Sequence, residues 1–303
     1  MYRDLFTHPY IGSYSVLLLI GYFFGFLLAR WRAPQNKIEG RHIDNLVLLL
    51  LLITPIGARL FSRLFYFPTK LSLGNALKIW EGGGLVFYGG MIFGIFAVII
   101  YAGVMRLSLL VLCDVLSPSL ALGLAFGRIG CFLAGCCWGD VCASPSQLAA
   151  IKEPRAHYQI QTFPALCPPN FFAAVRFPPE TGAYEQHQKL GLISKNATHS
   201  WPVHPTQLYE SFLAFALCLF LNRAFRQRRF AGEIFCWLGM SYGLIRFAVE
   251  FLRADSAPIY WAALTLSQVI SLIIAIGALI LFLTLRRRHL NFLQQPVEVE
   301  TAA

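Results

Sequence analysis

The sequence predicts an all-α, polytopic membrane protein with seven transmembrane helices. The 303-residue chain is 57% hydrophobic and only 13% charged, whereas a soluble domain carries about 25% charged residues. Its apolar runs, of about 16 to 22 residues, are long enough to cross a hydrocarbon core of roughly 30 Å. A membrane β-barrel would show short alternating segments instead.

Each element follows from one apolar run. The predicted spans cover residues 13–30, 45–66, 85–105, 110–127, 207–222, 233–252 and 262–285. Lys and Arg concentrate after the first, third, fifth and seventh spans, so the positive-inside rule places the N-terminus outside and the C-terminus in the cytoplasm. The net charge of +10 suits loops that face an anionic leaflet. Without a basic soluble domain, we expect no nucleic-acid partner.

These spans divide the chain into four segments. They are four helices in 1–139, an extracytoplasmic insert (the head) in 140–203, three helices in 204–288 and a disordered cytoplasmic tail in 289–303. The insert is rich in Pro and aromatic residues, which predicts little regular structure beyond a short helix near Ser146–Lys152. The first run ends in basic residues, so we expect a retained span and not a cleaved signal peptide.

Arg128 is the first candidate functional residue, because it stands where the fourth apolar run ends. An arginine at this depth is costly and is usually paired or functional, although an interfacial arginine can also simply reach toward water. Gly127 and Gly130 beside it favour close packing over a free position at the membrane rim.

The sixth span carries a second arginine. Tyr242, Arg246, Glu250 and Arg253 are spaced so that they share one helical face. This pattern fits a structural pair between Arg246 and Glu250, and it also fits an anion site whose guanidinium is oriented by the carboxylate. The two interpretations are compatible.

The fifth span opens with four polar residues at the level of Arg128. They are His204, Gln207, Tyr209 and Glu210. Two arginines and a histidine thus converge on the outer half of the bilayer, and rigid guanidinium groups match phosphate. The residues alone therefore predict a site for an anionic phospholipid headgroup, without a reaction.

A glycine-rich stretch precedes the third span. Gly90 and Gly94 fit the small-xxx-small pattern of helix packing, and Tyr88 between the glycines could reach a polar site.

Five ordered motifs resemble the bacterial prolipoprotein diacylglyceryl transferase family. They are Tyr14; Gly83–Gly90; Gly127-Arg128 with Gly130, Phe132, Gly135, Trp138 and Gly139; His204-Pro205-x-Gln207-Leu208-Tyr209-Glu210; and Tyr242-Gly243-x-x-Arg246 with Val249-Glu250-Phe251 and Arg253. The resemblance implies transfer of the diacylglyceryl group of phosphatidylglycerol to the lipobox cysteine of a prolipoprotein signal peptide. It also implies a monomer in the bacterial inner membrane, an active site facing the outer leaflet, and no cofactor or metal.

The resemblance further implies residue roles. Arg128 and Arg246 would hold the phosphate, with Glu250 and Tyr242 orienting them. The candidate substrate-binding residues are Tyr14, Tyr88, Gly89, Gly90, Gly139, Gln207, Tyr209, Tyr242 and Glu250.

Three positions depart from the family pattern. The family has Asn at Cys131, Glu at Cys136 and His at Tyr88. Because tyrosine is a weak base at neutral pH, proton removal falls to another group, first His204 and second Glu210.

The cysteines suggest alternatives. Cys131, Cys136, Cys137 and Cys142 crowd one end of the fourth span. Disulfides or packing thiols fit an oxidising compartment, and thiol redox chemistry or a metal site would fit a same-fold protein that has lost the transfer reaction. A phospholipid-binding protein without chemistry is a further alternative.

Overall fold

The computed structural model describes residues 12–66, 87–142, 171–254 and 264–294. Within these ranges the chain forms helices and isolated β-bridges but no strand, which confirms the predicted all-α class. The helices are α1 (Ser13–Arg32), α2 (Gly40–Tyr66), α3 (Phe87–Val104), α4 (Leu109–Ala134), α5 (Gly182–Lys189), α6 (Thr206–Ala224), α7 (Glu233–Glu250) and α8 (Leu266–Gln294). Short 3-10 turns cover Pro34–Asn36 and Phe225–Gln227.

Each predicted span coincides with one long helix, and five of the described helices are long and apolar enough to cross a membrane. These five segments are Ser13–Arg32, Gly40–Leu64, Leu109–Ala134, Thr206–Gln227 and Leu266–Phe292. Helices α3 and α7 are not among these five. The apolar stretch of α3 is shorter, and α7 carries three charged residues, Glu233, Arg246 and Glu250, among its 18 residues. The chain is therefore a multi-pass membrane protein.

Two local predictions are wrong, and a third falls on residues that the structure does not describe. Helix α4 continues to Ala134, so Arg128 lies within a helix and not beyond its end. Helix α8 continues to Gln294, so residues 289–294 are helical and not a disordered tail. Both helices extend beyond their apolar runs, and the arginines at those points are compatible with helix. The insert contains α5, which is short and polar; the helix expected near Ser146–Lys152 lies outside the described residues.

The chain divides into two compact units, of which one spans residues 26–116. In this unit α2 packs along α3 at glycines. A Cβ on Gly89 would lie 2.3 Å from Phe61 Cβ, and one on Gly90 would lie 3.0 Å from the carbonyl oxygen of Thr54. A Cβ on Gly94 would meet Thr54 Cγ2 at 3.3 Å. The predicted packing role of Gly90 and Gly94 is thus confirmed.

The second unit comprises residues 1–25 and 117–303, and in it α7 packs against α6 and α8. A Cβ on Gly243 would lie 2.7 Å from the carbonyl oxygen of Ser271, so α7 and α8 approach closely. Helix α6 is tied to α4 because Ser211 Oγ donates a hydrogen bond to the carbonyl oxygen of Ala125 at 2.9 Å. Helices α4, α6 and α7 position the candidate site.

The same unit contains a small, largely irregular layer that we call the cap, made of residues 135–142, 171–205 and 251–254. Its apolar core consists of Trp138, Val141, Phe177, Ala183, Val203 and Ala254. Isolated antiparallel bridges join Val141 to Val203 and Gly139 to Arg253. The start of the insert, its end and the residues that follow α7 are thereby held side by side.

Candidate active site

Glu210 on α6 joins the two arginines singled out by the sequence. Its Oε1 lies 2.9 Å from Arg128 Nη2 on α4, and its Oε2 lies 3.9 Å from Arg246 Nη1 on α7. Glu210 is 1% exposed. A buried carboxylate between two cations is stabilised by both and fixes their separation.

A second buried carboxylate, Glu250, completes the set. Its Oε2 lies 2.6 Å from Arg246 Nη1 and 3.7 Å from Arg253 Nε, and its Oε1 accepts a hydrogen bond from Thr265 Oγ1 at 2.8 Å. The 2.6 Å contact lacks hydrogen-bond alignment and is therefore an ion pair. The predicted pairing of Arg246 with Glu250 is present.

Neutral hydroxyl groups orient these charges. Tyr242 Oη donates to Glu210 Oε1 at 3.0 Å, so the tyrosine reaches from α7 to α6. Arg246 Nη2 donates to Ser267 Oγ at 3.2 Å. Ser267 and Thr265 were missed by sequence reasoning, because only the folded chain brings the start of α8 to this place.

We call Arg128, Glu210, Arg246, Glu250 and Arg253 the charged cluster. Three cations and two anions leave a net charge of +1. The arginine side chains are 16%, 13% and 9% exposed in chain order, whereas the glutamates are 2% and 0% exposed. Three guanidinium groups carry about fifteen N–H donors against about eight acceptor lone pairs on two carboxylates. The accessible side of the cluster therefore offers donors and positive charge to an anion.

Helix α4 ends just beyond the cluster in a Schellman motif. Gly135 adopts a φ of +68°, its N–H donates to the carbonyl of Phe132, and the N–H of Cys136 donates to the carbonyl of Cys131, both at 3.1 Å. This pattern satisfies carbonyls that would otherwise lack partners. Cys137 follows with a φ of +62°, so the chain reverses sharply.

This reversal gathers three thiols. The Sγ atoms of Cys131, Cys136 and Cys137 all lie within 4.8 Å of one another, and none of the three is in a disulfide. Hydrogen bonds from Cys131 and Cys136, helped by the nearby guanidinium of Arg253, lower the pKa of Cys137. Cys142 differs, because it is disulfide-bonded.

The first turn of α6 holds residues 131–137, which carry the three thiols and which we call the thiol segment, in place. Thr206 Oγ1 donates to the carbonyl oxygen of Cys137 at 2.9 Å, and Gln207 Nε2 donates to that of Cys136 at 2.7 Å. One turn later the same helix presents Glu210 to Arg128. Helix α6 therefore positions both the thiols and the arginine.

His204 lies in the cap directly before α6. Its Nδ1 is 3.1 Å from Tyr209 Oη, its ring lies 5.0 Å from that of Phe171, and it is 4% exposed. No described residue pairs with Nε2. Burial lowers the pKa of His204, so the imidazole is neutral at pH 7 and Nε2 or Nδ1 can accept a proton.

Asp140 was missed by sequence reasoning. Burial raises its pKa to about 7, although a hydrogen bond from the N–H of Val141 opposes the shift. Its backbone N–H and carbonyl pair with Leu252 and His204. The signal in the sequence was weak, namely a single acidic residue after Gly139.

Two arginines of the other unit were also missed. Arg59 and Arg63 of α2 are 1% and 8% exposed, although they lie inside a predicted span. A buried arginine at membrane depth is a functional candidate in its own right, and the apolar residues around these two hid them.

The glycines and the remaining tyrosines of the predicted site fall into two groups. A Cβ on Gly130 would lie 3.0 Å from Tyr14 Cδ2, and one on Gly139 would lie 2.5 Å from His204 Cβ. A Cβ added to Gly127 would meet no described atom within 4 Å outside its own helix backbone and chain neighbours, so its predicted close packing is wrong for the described part of the chain. Gly89 and Gly90 pack on α2 in the other unit, and the side chain of Tyr88 lies outside what the structure describes.

Comparison with known proteins decides the family. The family model described as "Prolipoprotein diacylglyceryl transferase" matches residues 5–284. The chain belongs to the prolipoprotein diacylglyceryl transferase family. The resemblance drawn from the five motifs is confirmed, and the chain belongs to the transferase class of enzymes.

Curated relatives agree over nearly the whole chain, and each of the following is named phosphatidylglycerol--prolipoprotein diacylglyceryl transferase. That of Xanthomonas euvesicatoria pv. vesicatoria (strain 85-10) is 31% identical, over 95% of this chain and 93% of the relative. That of Clostridium tetani (strain Massachusetts / E88) is 28% identical, over 90% and 92%. That of Proteus mirabilis (strain HI4320) is 29% identical, over 93% and 90%.

Proposed function

We propose that this chain transfers the diacylglyceryl group of phosphatidylglycerol to the lipobox cysteine of a prolipoprotein, the first step of lipoprotein maturation. The observation that carries the proposal is the joining of Arg128 and Arg246 by Glu210. Two guanidinium groups held at a fixed separation, with donors to spare, suit a phosphate that gains charge during the reaction.

The proposed step forms one bond and breaks one. The cysteine sulfur bonds to the glyceryl carbon, and that carbon's bond to the phosphate oxygen breaks, with the electron pair leaving on the oxygen as glycerol phosphate. The phosphate passes from one negative charge toward two, and Arg128 and Arg246 stabilise the added charge. Because the guanidinium groups are already oriented, little reorganisation accompanies the step. No metal or organic cofactor takes part in it.

His204 is the proposed acceptor of the thiol proton. Its imidazole is buried and neutral, and Nε2 has no partner among the described residues. Glu210 is a poorer candidate, since both of its oxygens already contact an arginine. We assign Glu210 to positioning Arg128 and Arg246, with Tyr242 and Glu250 supporting it and Tyr14, Gln207 and Tyr209 bordering the substrates.

The proposed setting is the bacterial inner membrane. Seven spans, with the N-terminus outside and the C-terminus in the cytoplasm, would place the cap and the charged cluster toward the outer leaflet. The distribution of Lys and Arg supports this orientation, and the seven long helices support the number of spans. Phosphatidylglycerol would enter from that leaflet, and the protein would act as a monomer.

The test is complementation. The chain is expressed in cells depleted of their own diacylglyceryl transferase, and a tagged prolipoprotein is followed by mass spectrometry. The proposal expects a diacylglyceryl mass on the lipobox cysteine, lost in Arg246→Ala and retained in Arg176→Ala, whose arginine is exposed in the cap. An unmodified precursor in cells that contain folded, inserted protein would contradict it.

The proton acceptor has a separate test. His204→Gln in purified protein should lower kcat by about 10²-fold, the usual contribution of a general base, and should remove the acid limb of the kcat profile. An unchanged pH profile would remove His204 from the mechanism and leave the arginine assignment standing.

A further inference from the structure

We propose that Cys131, Cys136 and Cys137 form a three-thiolate binding site for one Cu(I) ion. This inference goes beyond the transferase reaction, which uses none of these sulfurs. It starts from the gathering of three cysteine sulfurs at the end of α4, where each Sγ lies within 4.8 Å of the other two.

The spacing of the sulfurs suits a single metal ion. Three sulfurs bound at about 2.3 Å around one ion lie about 4 Å apart, so the three thiols reach that geometry by small side-chain rotations. No other Cys, His, Asp or Glu of the described residues belongs to this group. Three soft sulfurs without a fourth protein ligand favour Cu(I) over zinc, which takes four ligands in structural sites.

The backbone keeps the thiols together before any ion arrives. The Schellman motif at Gly135 turns the chain back after Cys131, and the left-handed Cys137 completes the turn. Thr206 and Gln207 hold the carbonyl groups of Cys137 and Cys136 from outside the segment. The site is therefore preorganised, which reduces the conformational cost of binding.

Nearby positive charges suit the complex that Cu(I) would form with the three thiolates. Cu(I) with three thiolates carries a formal charge of −2, and the thiols release their protons on binding. Arg253 and Arg128 both interact electrostatically with Cys137, so two cations face the anionic complex. All three cysteines are partly exposed, which leaves a path for the ion.

The site explains a contrast among the cysteines. Cys142 is disulfide-bonded only five residues after Cys137, while the three thiols beside it are free. A bound soft metal ion protects thiolates from oxidation, because their lone pairs are engaged.

Competition with the Cu(I) chelator bathocuproine disulfonate tests the proposal. Purified full-length protein without a histidine tag is titrated anaerobically in detergent, and copper transfer is followed by absorbance. We expect one Cu(I) per chain and three sulfur neighbours by X-ray absorption. Cys131→Ser, Cys136→Ser and Cys137→Ser should each weaken binding by at least about tenfold, a typical cost of disturbing a metal site. Cys113→Ser, at a half-buried cysteine outside the group, should not.

Three outcomes would overturn the proposal. If Cys113→Ser lost as much Cu(I) affinity as the other variants, the protein would bind copper through thiols in general. If bound Zn(II) stayed in place when Cu(I) was added, the site would belong to another metal. A disulfide among Cys131, Cys136 and Cys137 in protein isolated without reductant would make the segment a redox pair. Because the readout is binding, a failure here leaves the transferase test untouched.

Discussion

The charged cluster and the cap are neighbours in one unit, yet they are held together by different interactions. In the charged cluster, side chains from α4, α6 and α7 meet through ion pairs to Glu210 and Glu250. In the cap, backbone hydrogen bonds and a small apolar core hold irregular segments together. Substitutions of polar side chains should therefore disable the charged cluster, whereas changes that disturb the backbone should unfold the cap.

The largest effect should come from breaking the cluster at Glu210. Glu210→Gln keeps the side-chain shape but removes the charge that Arg128 and Arg246 share. We expect kcat to fall on the order of 10³-fold, because the arginines lose their fixed separation. The measurement is transfer by purified enzyme, with Glu185→Gln on the exposed face of α5 as the control. Activity matching that control would contradict the shared-counterion role.

A methyl group added to the backbone at Gly139 should destabilise the cap. A Cβ on Gly139 would lie 2.5 Å from His204 Cβ and 2.7 Å from the carbonyl oxygen of Leu252. Gly139→Ala should lower the free energy of unfolding in detergent by about 3 kcal/mol, the upper range for overpacking. Gly127→Ala, which meets no described atom within 4 Å, is the matched control. Equal stability of the two variants would argue against the cap geometry.

Acid should remove the contribution that His187 makes to the stability of the cap. His187 is fully buried, its Nδ1 accepts a hydrogen bond from the N–H of Trp201, and burial lowers its pKa to about 4. The neutral form is favoured in the fold, so its stabilisation is complete above about pH 6.5 and is lost as the pH falls toward 4. We expect the contribution of His187 to fall by about 2 kcal/mol at about pH 5, while the buried Asp140, whose pKa is raised, changes the free energy of unfolding in the opposite direction.

Unfolding titrations at several pH values measure this loss. His187→Gln should remove the acid loss due to His187, so that its unfolding free energy falls by about 2 kcal/mol less than that of the wild type between about pH 6.5 and 5, whereas His199→Gln, at an exposed position, should behave like the wild type. A curve that keeps its slope in His187→Gln would assign the acid sensitivity to another group.

The smallest effect should come from the side-chain hydrogen bond that joins α6 to the cap at Cys137. Thr206→Val removes the hydrogen bond to the carbonyl of Cys137 and should cost about 1 kcal/mol of unfolding free energy. Thr198→Val, at an exposed threonine, is the control. A destabilisation no greater than that of Thr198→Val would show that Gln207 alone holds the thiol segment.

The sequence predicted the helices well because their signal is local. Seven apolar runs coincide with seven long helices, and the spacing of Arg246 and Glu250 predicted their ion pair. The ends were harder to predict. Arg128 looked like a boundary, but Glu210 compensates its charge, so α4 continues for six further residues to Ala134.

The contacts that define the site depend on residues far apart in the chain. Glu210 was chosen for its motif, yet nothing in the sequence assigns it to Arg128, which lies 82 positions earlier. Tyr242 was placed beside Arg246, whereas its hydroxyl binds Glu210 on another helix. The short polar helix α5, of which only Ala183, Tyr184 and His187 are buried, lacked the apolar periodicity that marks amphipathic helices. Such pairings arise from packing, which a single sequence does not encode locally.

The bridge between Val141 and Val203 brings the two ends of the insert together. The segment from 142 to 202 leaves and re-enters the fold at adjacent points, and each doubling of a flexible loop costs only about 0.6 kcal/mol. Changes on its exposed surface, away from the buried Phe177 and Ala183, can alter that surface while Thr206, Gln207 and Glu210 keep their contacts at the end of α4. The exposed surface of this segment can thus change without altering the contacts of the charged cluster.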